Sequence, residues 1–308
     1  MLLDDGSFDC SDQDDLCQIA DPYRWLEDPD SEDTKKWVEA QNKLTDAFLT
    51  KIEDRPFLKE RLTEKYNYVK TGCSWKSGKG EYASYYFYKN DGLQNQYVLM
   101  RQKTLEADAE LFFDPNTLAA DGTKSLGGTA FSDSGRYWAY GVSASGSDWQ
   151  TIHVKDTSTG VTLEDRVGWV KFSGISWLKD DSGFFYNRYP EPASLSVAGV
   201  ASAGDDEAKV GSETDANVNM AVYLHILGEA QGKDRLIYRT PDNPTWLFGA
   251  QVTDDGAYLI VTIHESTAPV NRVFIAEVPA LLSQLKDTPG EVIKVDKVVD
   301  NFQAGVPT

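Results

Sequence analysis

Histidine is the side chain best suited to proton transfer or metal binding near neutral pH, and this chain has three: His153, His225 and His264. They lie far apart, each inside a strand-like run, with no zinc-ligand spacing between them, so they read as satisfied strand residues. A hydrolase nucleophile calls for G-x-S-x-G on a strand-to-helix elbow, and no such run occurs. Ser143 and Ser145, in Gly141-Val142-Ser143-Ala144-Ser145-Gly146, come nearest but miss the spacing; with no helix after them they read as loop residues of a β region. The phosphate-loop pattern G-x-x-x-x-G-K-[ST] is missing as well. Of the 49 acids, none pairs on a recognisable scaffold for acid–base catalysis. The motifs therefore supply no catalytic residue, no metal site and no cofactor, and by themselves do not describe an enzyme.

The elements that would position any site are set by a repeated turn. Gly127 to Trp149 reads as a strand to Phe131, a tight turn at Ser132-Asp133-Ser134-Gly135, a strand from Tyr137 to Tyr140, and a Gly/Ser-rich loop. The same order of strand tail, polar residues, Gly and aromatic or β-branched residues recurs around Gly80, Gly183 and Gly256, at intervals of 55, 48 and 73 residues. The long interval holds residues 192–217, rich in Ala, Ser, Gly and acids and free of aromatics, the composition of a mobile loop. Without that insertion the period is about 50, with three or four short strands per unit, which is how a propeller blade reads in sequence. A β-sandwich would not need so regular a repeat.

Composition narrows the setting. Thirty Lys and Arg against 49 Asp and Glu give a net charge of −19, which repels nucleic acid and anionic membrane. Three cysteines, Cys10, Cys17 and Cys73, show no metal spacing and argue for a reducing compartment. The first residues lack a signal peptide's basic and apolar regions, and no apolar run approaches the roughly 18 residues of a membrane span. A cytoplasmic location follows as the expectation.

Along the chain, residues 1–18 are expected to form a loose acidic arm and 19–71 a helical segment. Ser31 before Glu32 and Asp33 is a good helix start, and Trp37, Ala40, Leu44, Phe48 and Ile52 space an amphipathic helix over 32–52. A second helix begins near Pro56 and runs to about Tyr66. From 72 to 308 the period is two, the mark of strands. On a repeat of about 50 this region holds between four and five blades, with the chain stopping after Val298 to Phe302 partway through a unit. The tail from Gln303 to Thr308 looks unlike a continuing strand, and both ends read as truncation.

Particular runs point further. Asp21 to Glu32, DPYRWLEDPDSE, with Val38 to Lys43, Gly92 to Gln96, Phe112 to Asn116, Ser143 to Trp149, Val170 to Ser173 and Pro269 to Arg272, resembles the prolyl oligopeptidase family of serine peptidases over nearly the whole chain. The resemblance implies a mainly β fold: an incomplete propeller, about four to five of the family's seven blades, after an N-terminal helical segment. It also implies that the α/β-hydrolase domain, which carries the family's Ser-Asp-His triad, is missing here, so no catalytic residue can be inherited. The family cleaves short peptides after proline, and its propeller covers the active site and limits substrate size. Four positions of this chain match propeller residues of the family's substrate side. Phe172 corresponds to a pocket aromatic, Leu247 stands where the family often has methionine, and Thr267, a departure, where it often has cysteine. Asp148 resembles an acid facing an arginine of the catalytic domain, although a turn-capping role fits its loop equally well.

The implied function is that of a truncated prolyl oligopeptidase-like protein, inactive alone, whose partners are short proline-containing peptides and the missing hydrolase domain. Two alternatives stand beside it: a non-catalytic propeller binding module, and one half of a split peptidase. In the family the helical segment packs on the hydrolase domain, so Trp37, Leu44 and Phe48 should here lack their partner.

Overall fold

The computed structural model describes residues 20–193, 215–287 and 293–304. The expected arm at 1–18 and most of the expected loop at 192–217 lie outside the described residues. The chain divides into two compact units, Met1–Tyr66 and Asn67–Thr308.

In the first unit, α1 spans Glu32–Leu49 and α2 Arg55–Tyr66. Ser31 sits in extended backbone and its Oγ accepts from the Thr34 amide at 3.2 Å, while Glu32 and Asp33 complement the positive end of the helix dipole. The buried Thr34 hydroxyl donates to the Trp25 carbonyl at 3.3 Å, and Trp25 meets Trp37 edge-on, which ties the turn Arg24–Glu27 to α1. Pro56 is the second residue of α2, where a missing N–H costs no hydrogen bond. The first helix ends three residues short of the spacing-based boundary at 52, because the Thr50 amide closes the last turn onto the Asp46 carbonyl. Trp37, Leu44 and Phe48 are exposed, as are Phe57, Leu58 and Leu62.

The second unit is four antiparallel sheets. The first contains β1 (Lys70–Thr71), β2 (Trp75–Ser77), β3 (Ser84–Asn90), β4 (Val98–Gln102) and β5 (Glu110–Phe113), with β1 and β2 pairing to opposite halves of β3. It thus begins two residues before the expected start at 72. The second sheet runs β6 (Lys124–Phe131), β7 (Tyr137–Ala144), β8 (Gln150–Asp156), β9 (Thr162–Val170). The third runs β10 (Ile175–Trp177), β11 (Gly183–Arg188), β12 (Ala221–Ile226), β13 (Arg235–Tyr238). The fourth runs β14 (Leu247–Val252), β15 (Tyr258–His264), β16 (Val270–Glu277), β17 (Asp296–Ala304), with α3 (Val278–Asp287) between its last two strands.

The two-residue alternation decides which sheets share a core. Trp138 and Tyr140 face the first sheet, packing with Tyr86, Leu99 and Phe112, while Ala139 between them faces the third, with Ile152, Val154, Phe184 and Tyr186. Phe184 and Tyr186 point back toward the second sheet, whereas Phe185 joins Val222, Leu224, Leu259, Val261 and Phe274 against the fourth. A mainly β, blade-by-blade architecture is therefore the observed one.

The repeated turns meet one another. Gly135 has φ +84°, and a Cβ there would lie 2.5 Å from the Gly78 Cα, so this approach requires glycine. The Lys79 amide donates to the Ser134 carbonyl at 2.8 Å, and the Ser134 hydroxyl donates to Asp181. The third turn differs from its sequence reading: the left-handed residue is Asp181, at φ +60°, and Gly183 already opens β11. Two further expectations are corrected. β17 continues through Gln303 and Ala304, which pair with Asn271 and Val270, so it is the fourth strand of a sheet and the last unit is not broken partway. The pairing of Gln303 and Ala304 is made by the backbone, which the side-chain pattern does not report. Ser143 lies within β7, paired to Ser125 and Gln150, not in the loop after it.

Candidate functional site

In a sheet whose strands follow in order, the start of the first strand, the loop between the second and third, and the end of the fourth share one end; the repeated turns occupy the other. All four positions singled out in the sequence fall at the first of these ends. Asp148 lies in the β7–β8 loop, Phe172 in the link 171–174 from β9 to β10, Leu247 opens β14, and Thr267 lies in the β15–β16 loop.

The β7–β8 loop is closed by serines. Ser143 Oγ donates to the Ser147 carbonyl, and the Trp149 amide donates to Ser147 Oγ at 3.0 Å. Asp148 takes no part in this and is exposed, with no hydrogen bond or ion pair among the described residues. Ser147 thus fills the capping role that Asp148 was equally suited to, and the Asp148 carboxylate faces solvent. Trp149 is buried beside it, edge-on to Trp169 and Tyr189 with centroids 5.7 and 6.1 Å away. The Lys171 ammonium stands 4.8 Å from the Trp149 ring and 5.6 Å from that of Phe172, joining the two loops by cation–π contact.

Phe172 itself is 57% exposed and has φ +55°, and Trp169 has φ +57°. A left-handed conformation costs an L-residue roughly 1–2 kcal/mol, so two within one short segment need support from their surroundings. That support is visible. Gln231 clasps Gly168, accepting from its amide at 3.0 Å and donating to its carbonyl at 2.9 Å. The Trp169 carbonyl accepts from the Tyr189 amide, and Ser173 Oγ accepts from the Asn187 amide at 2.8 Å. An aromatic ring is thereby held out toward solvent in a conformation that its own backbone disfavours.

Leu247 is half-buried against the same apolar cluster that contains Trp149, Trp169, Tyr189, Met220 and Phe248. Its neighbour Phe248 is fixed by its amide on Met220 Sδ and by its carbonyl, which accepts from Asn187 Nδ2. Asp148, Phe172 and Leu247 therefore border one packed body. Thr267 is exposed at the same end of the fourth sheet, three residues past His264, the strand partner of Leu247. None of the contacts among the described residues joins Thr267 to Phe172 or Asp148. This rim offers a ring, a carboxylate, an ammonium group and a hydroxyl, groups able to make apolar, ionic and hydrogen-bond contacts. Trp149 and Lys171 belong to it although sequence reasoning passed them over; both stand inside the runs GSDW and VKFS already singled out.

All three histidines are strand residues, in β8, β12 and β15. His225 is buried completely, Nδ1 2.8 Å from Asp234 Oδ1 and Nε2 3.1 Å from Asp165 Oδ1. Burial disfavours the charged ring, but the two carboxylates outweigh it and raise the His225 pKa to about 9. The arrangement looks like an acid–base relay, yet with 0% exposure no substrate reaches it. Among the described residues no cluster of three or more His, Cys, Asp or Glu could hold a metal ion, and no helix is long and apolar enough to cross a membrane.

Against known proteins, residues 10–305 match the family described as prolyl oligopeptidase, N-terminal beta-propeller domain. Prolyl oligopeptidase A of Amanita bisporigera is 37% identical over 281 residues, covering 84% of this chain and 35% of the relative. Prolyl endopeptidase of Elizabethkingia meningoseptica is 42% identical over 250 residues, covering 81% and 32%. The solved structure of a mutant prolyl oligopeptidase B from Galerina marginata, bound to a 35mer hydrolysis and macrocyclization substrate, superposes with a TM-score of 0.76 at 31% identity, over 94% of this chain and 39% of that one. The chain spans about a third of the length of the curated relatives it matches.

Proposed function

Because this chain belongs to the prolyl oligopeptidase family, whose N-terminal propeller it matches over residues 10–305, we propose that it is the substrate-side propeller of a serine peptidase acting on short proline-containing peptides. Phe172 presents the apolar face for the peptide, Leu247 and Thr267 extend it on the fourth sheet, and Asp148 meets an arginine of a hydrolase domain. The nucleophile, base and oxyanion hole act as a unit, and that unit lies outside these 308 residues. The carrying observation is Phe172: an exposed aromatic held at φ +55° on a packed body, at the same sheet ends as the other three positions. A strained residue kept in place by its surroundings is characteristic of ligand sites. A cytoplasmic setting fits the exposed free thiol of Cys73.

The test is binding of a short labelled proline-containing peptide to the purified chain, followed by fluorescence anisotropy. Binding should weaken severalfold in Phe172→Ala, while a fluorogenic Gly-Pro peptide remains uncleaved by the chain alone. Unchanged affinity in Phe172→Ala removes the rim from the peptide site. Cleavage that a serine-directed phosphonate blocks would overturn the assignment of the chemistry to residues outside the chain.

A further inference from the structure

Beside Phe172, a side chain takes the place of a strand rung. Ile175 of β10 pairs with Tyr186 of β11, so the next rung of this antiparallel ladder would join Gly174 to Asn187. Ser173 relays that rung instead: its Oγ accepts from the Asn187 amide at 2.8 Å and donates to the Gly174 carbonyl at 2.6 Å. One hydroxyl thereby satisfies a main-chain donor and a main-chain acceptor that a continuing strand would have paired directly. The link 171–174 can leave the sheet at this point without orphaning either group. The residue it turns outward is Phe172, exposed and at φ +55°.

Asn187, whose amide that hydroxyl accepts, reaches the fourth sheet with its side chain. It shares a face of β11 with Phe185, two residues away, and its Nδ2 donates to the Phe248 carbonyl in β14. Asn187 is only 2% exposed, and its Oδ1 has no hydrogen-bond partner among the described residues. A buried amide with an unpaired acceptor weakens a fold. What this one secures in return is the place of the Phe248 backbone, and Phe248 is the neighbour of Leu247. A single buried residue thus anchors the Phe172 link through its main chain and the Leu247 strand through its side chain. Resting on the assignment of Phe172 and Leu247 as peptide contacts, we propose that Ser173 and Asn187 are positioning residues, which fix those two apolar side chains relative to each other so that one peptide meets both.

Fluorescence anisotropy of a short labelled proline-containing peptide on the whole 308-residue chain tests this through double-mutant cycles. Ser173→Ala should weaken the peptide severalfold, and Ser173→Thr, which keeps the oxygen, should restore it. In the Phe172→Ala background Ser173→Ala should cost nothing further, because it acts only through that ring. Asn187→Leu should likewise weaken the peptide severalfold and add nothing to Leu247→Ala. A purely structural role would lower the melting temperature while leaving the folded chain's affinity unchanged, or would add its effect in full in both double variants; either result overturns the proposal. Failure of Ser173→Thr to bind better than Ser173→Ala overturns it as well. If Phe172→Ala and Leu247→Ala weaken the peptide but Ser173→Ala and Asn187→Leu do not, the positioning role falls and the peptide site stands. If Phe172→Ala and Leu247→Ala leave affinity unchanged, both fall. Should Asn187→Leu not fold, the Ser173 series decides alone.

Discussion

Replacing His225 by Gln should remove one specific pH dependence of stability. Each ring nitrogen of His225 faces a carboxylate oxygen, Nδ1 that of Asp234 at 2.8 Å and Nε2 that of Asp165 at 3.1 Å. A neutral imidazole has one N–H, so its other nitrogen would set a lone pair against a buried carboxylate. The doubly protonated ring satisfies both. The carboxylates accept from further donors: the Gly228 amide to Asp165 at 2.6 Å, and the Tyr186 hydroxyl to Asp234 at 2.6 Å. Burial works to raise the Asp165 pKa, but the bonds from His225 and Gly228 hold it below the ordinary value. Glu229, which also interacts with the His225 charge, is paired with Arg235. The network joins β9 of the second sheet to β12 and the start of β13 in the third.

The folded-state pKa of His225, about 9, exceeds the ordinary 6.5. The stabilisation is therefore fully present below about pH 6.5 and is lost as pH rises through about 9. A difference of that size corresponds to about 3 kcal/mol, and leaving two buried carboxylates without their cation costs about 3–5 kcal/mol. Urea denaturation followed by tryptophan fluorescence, at pH 6, 7.5 and 9.5, measures it in both chains. Subtracting the His225→Gln curve cancels the other titrating groups. The gap between the two proteins should be largest at pH 6 and shrink by about 3 kcal/mol by pH 9.5. A gap constant with pH refutes the charged ring. Should the variant not fold, side-chain ¹⁵N shifts of the unmodified chain serve instead: a neutral His225 at pH 7.5 refutes the same reasoning.

Three other substitutions test individual contacts of the fold. Gly135→Ala should lower stability by about 2 kcal/mol or more, because its φ is +84° and the added methyl meets the Gly78 backbone; a melting temperature within error of the parent would contradict that contact. Phe172→Gly should leave stability unchanged or raise it by up to about 1 kcal/mol by relieving the left-handed backbone, while still weakening the peptide; a clear loss of stability would show the ring to be a packing residue. Asn187→Ala leaves the Phe248 carbonyl without its buried donor and should cost about 1–3 kcal/mol, read by chemical denaturation, whereas a neutral result would mean the bond is replaced at no cost.

What was legible in the sequence, and what was not, divides by the range of the interaction. Gly135 and Gly256 mark turns because a positive φ is a local demand that glycine meets, and the two-residue alternation of Trp138, Ala139 and Tyr140 is likewise local. The third turn shows the limit: the pattern pointed to Gly183, but Asp181 adopts the left-handed conformation, and Gly183 is required by another close approach, its Cβ direction lying 2.2 Å from the His225 carbonyl. The same residue type answered a different need. The Asp165–His225–Asp234 network was invisible because its members stand 60 and 9 positions apart and meet only when β9 packs on the third sheet.

The rim follows the same division. Phe172 and Asp148 were reachable through family resemblance, but nothing in VKFS announces that the phenylalanine is held at φ +55°. That conformation is imposed from β11 and from the turn at Gln231–Lys233, through the Asn187 amide on Ser173, the Tyr189 amide on Trp169 and Gln231 on Gly168. These anchors belong to the third sheet and the links beside its strands, whereas Gly168 and Trp169 stand at the end of β9 of the second. The presentation of Phe172 is thus a product of how two neighbouring sheets are docked. Loosening that docking, whether at His225 or at Gln231, should relax Phe172 without touching it, so peptide affinity and the stability of the second and third sheets should fall together in His225→Gln, whereas in Phe172→Ala affinity falls alone.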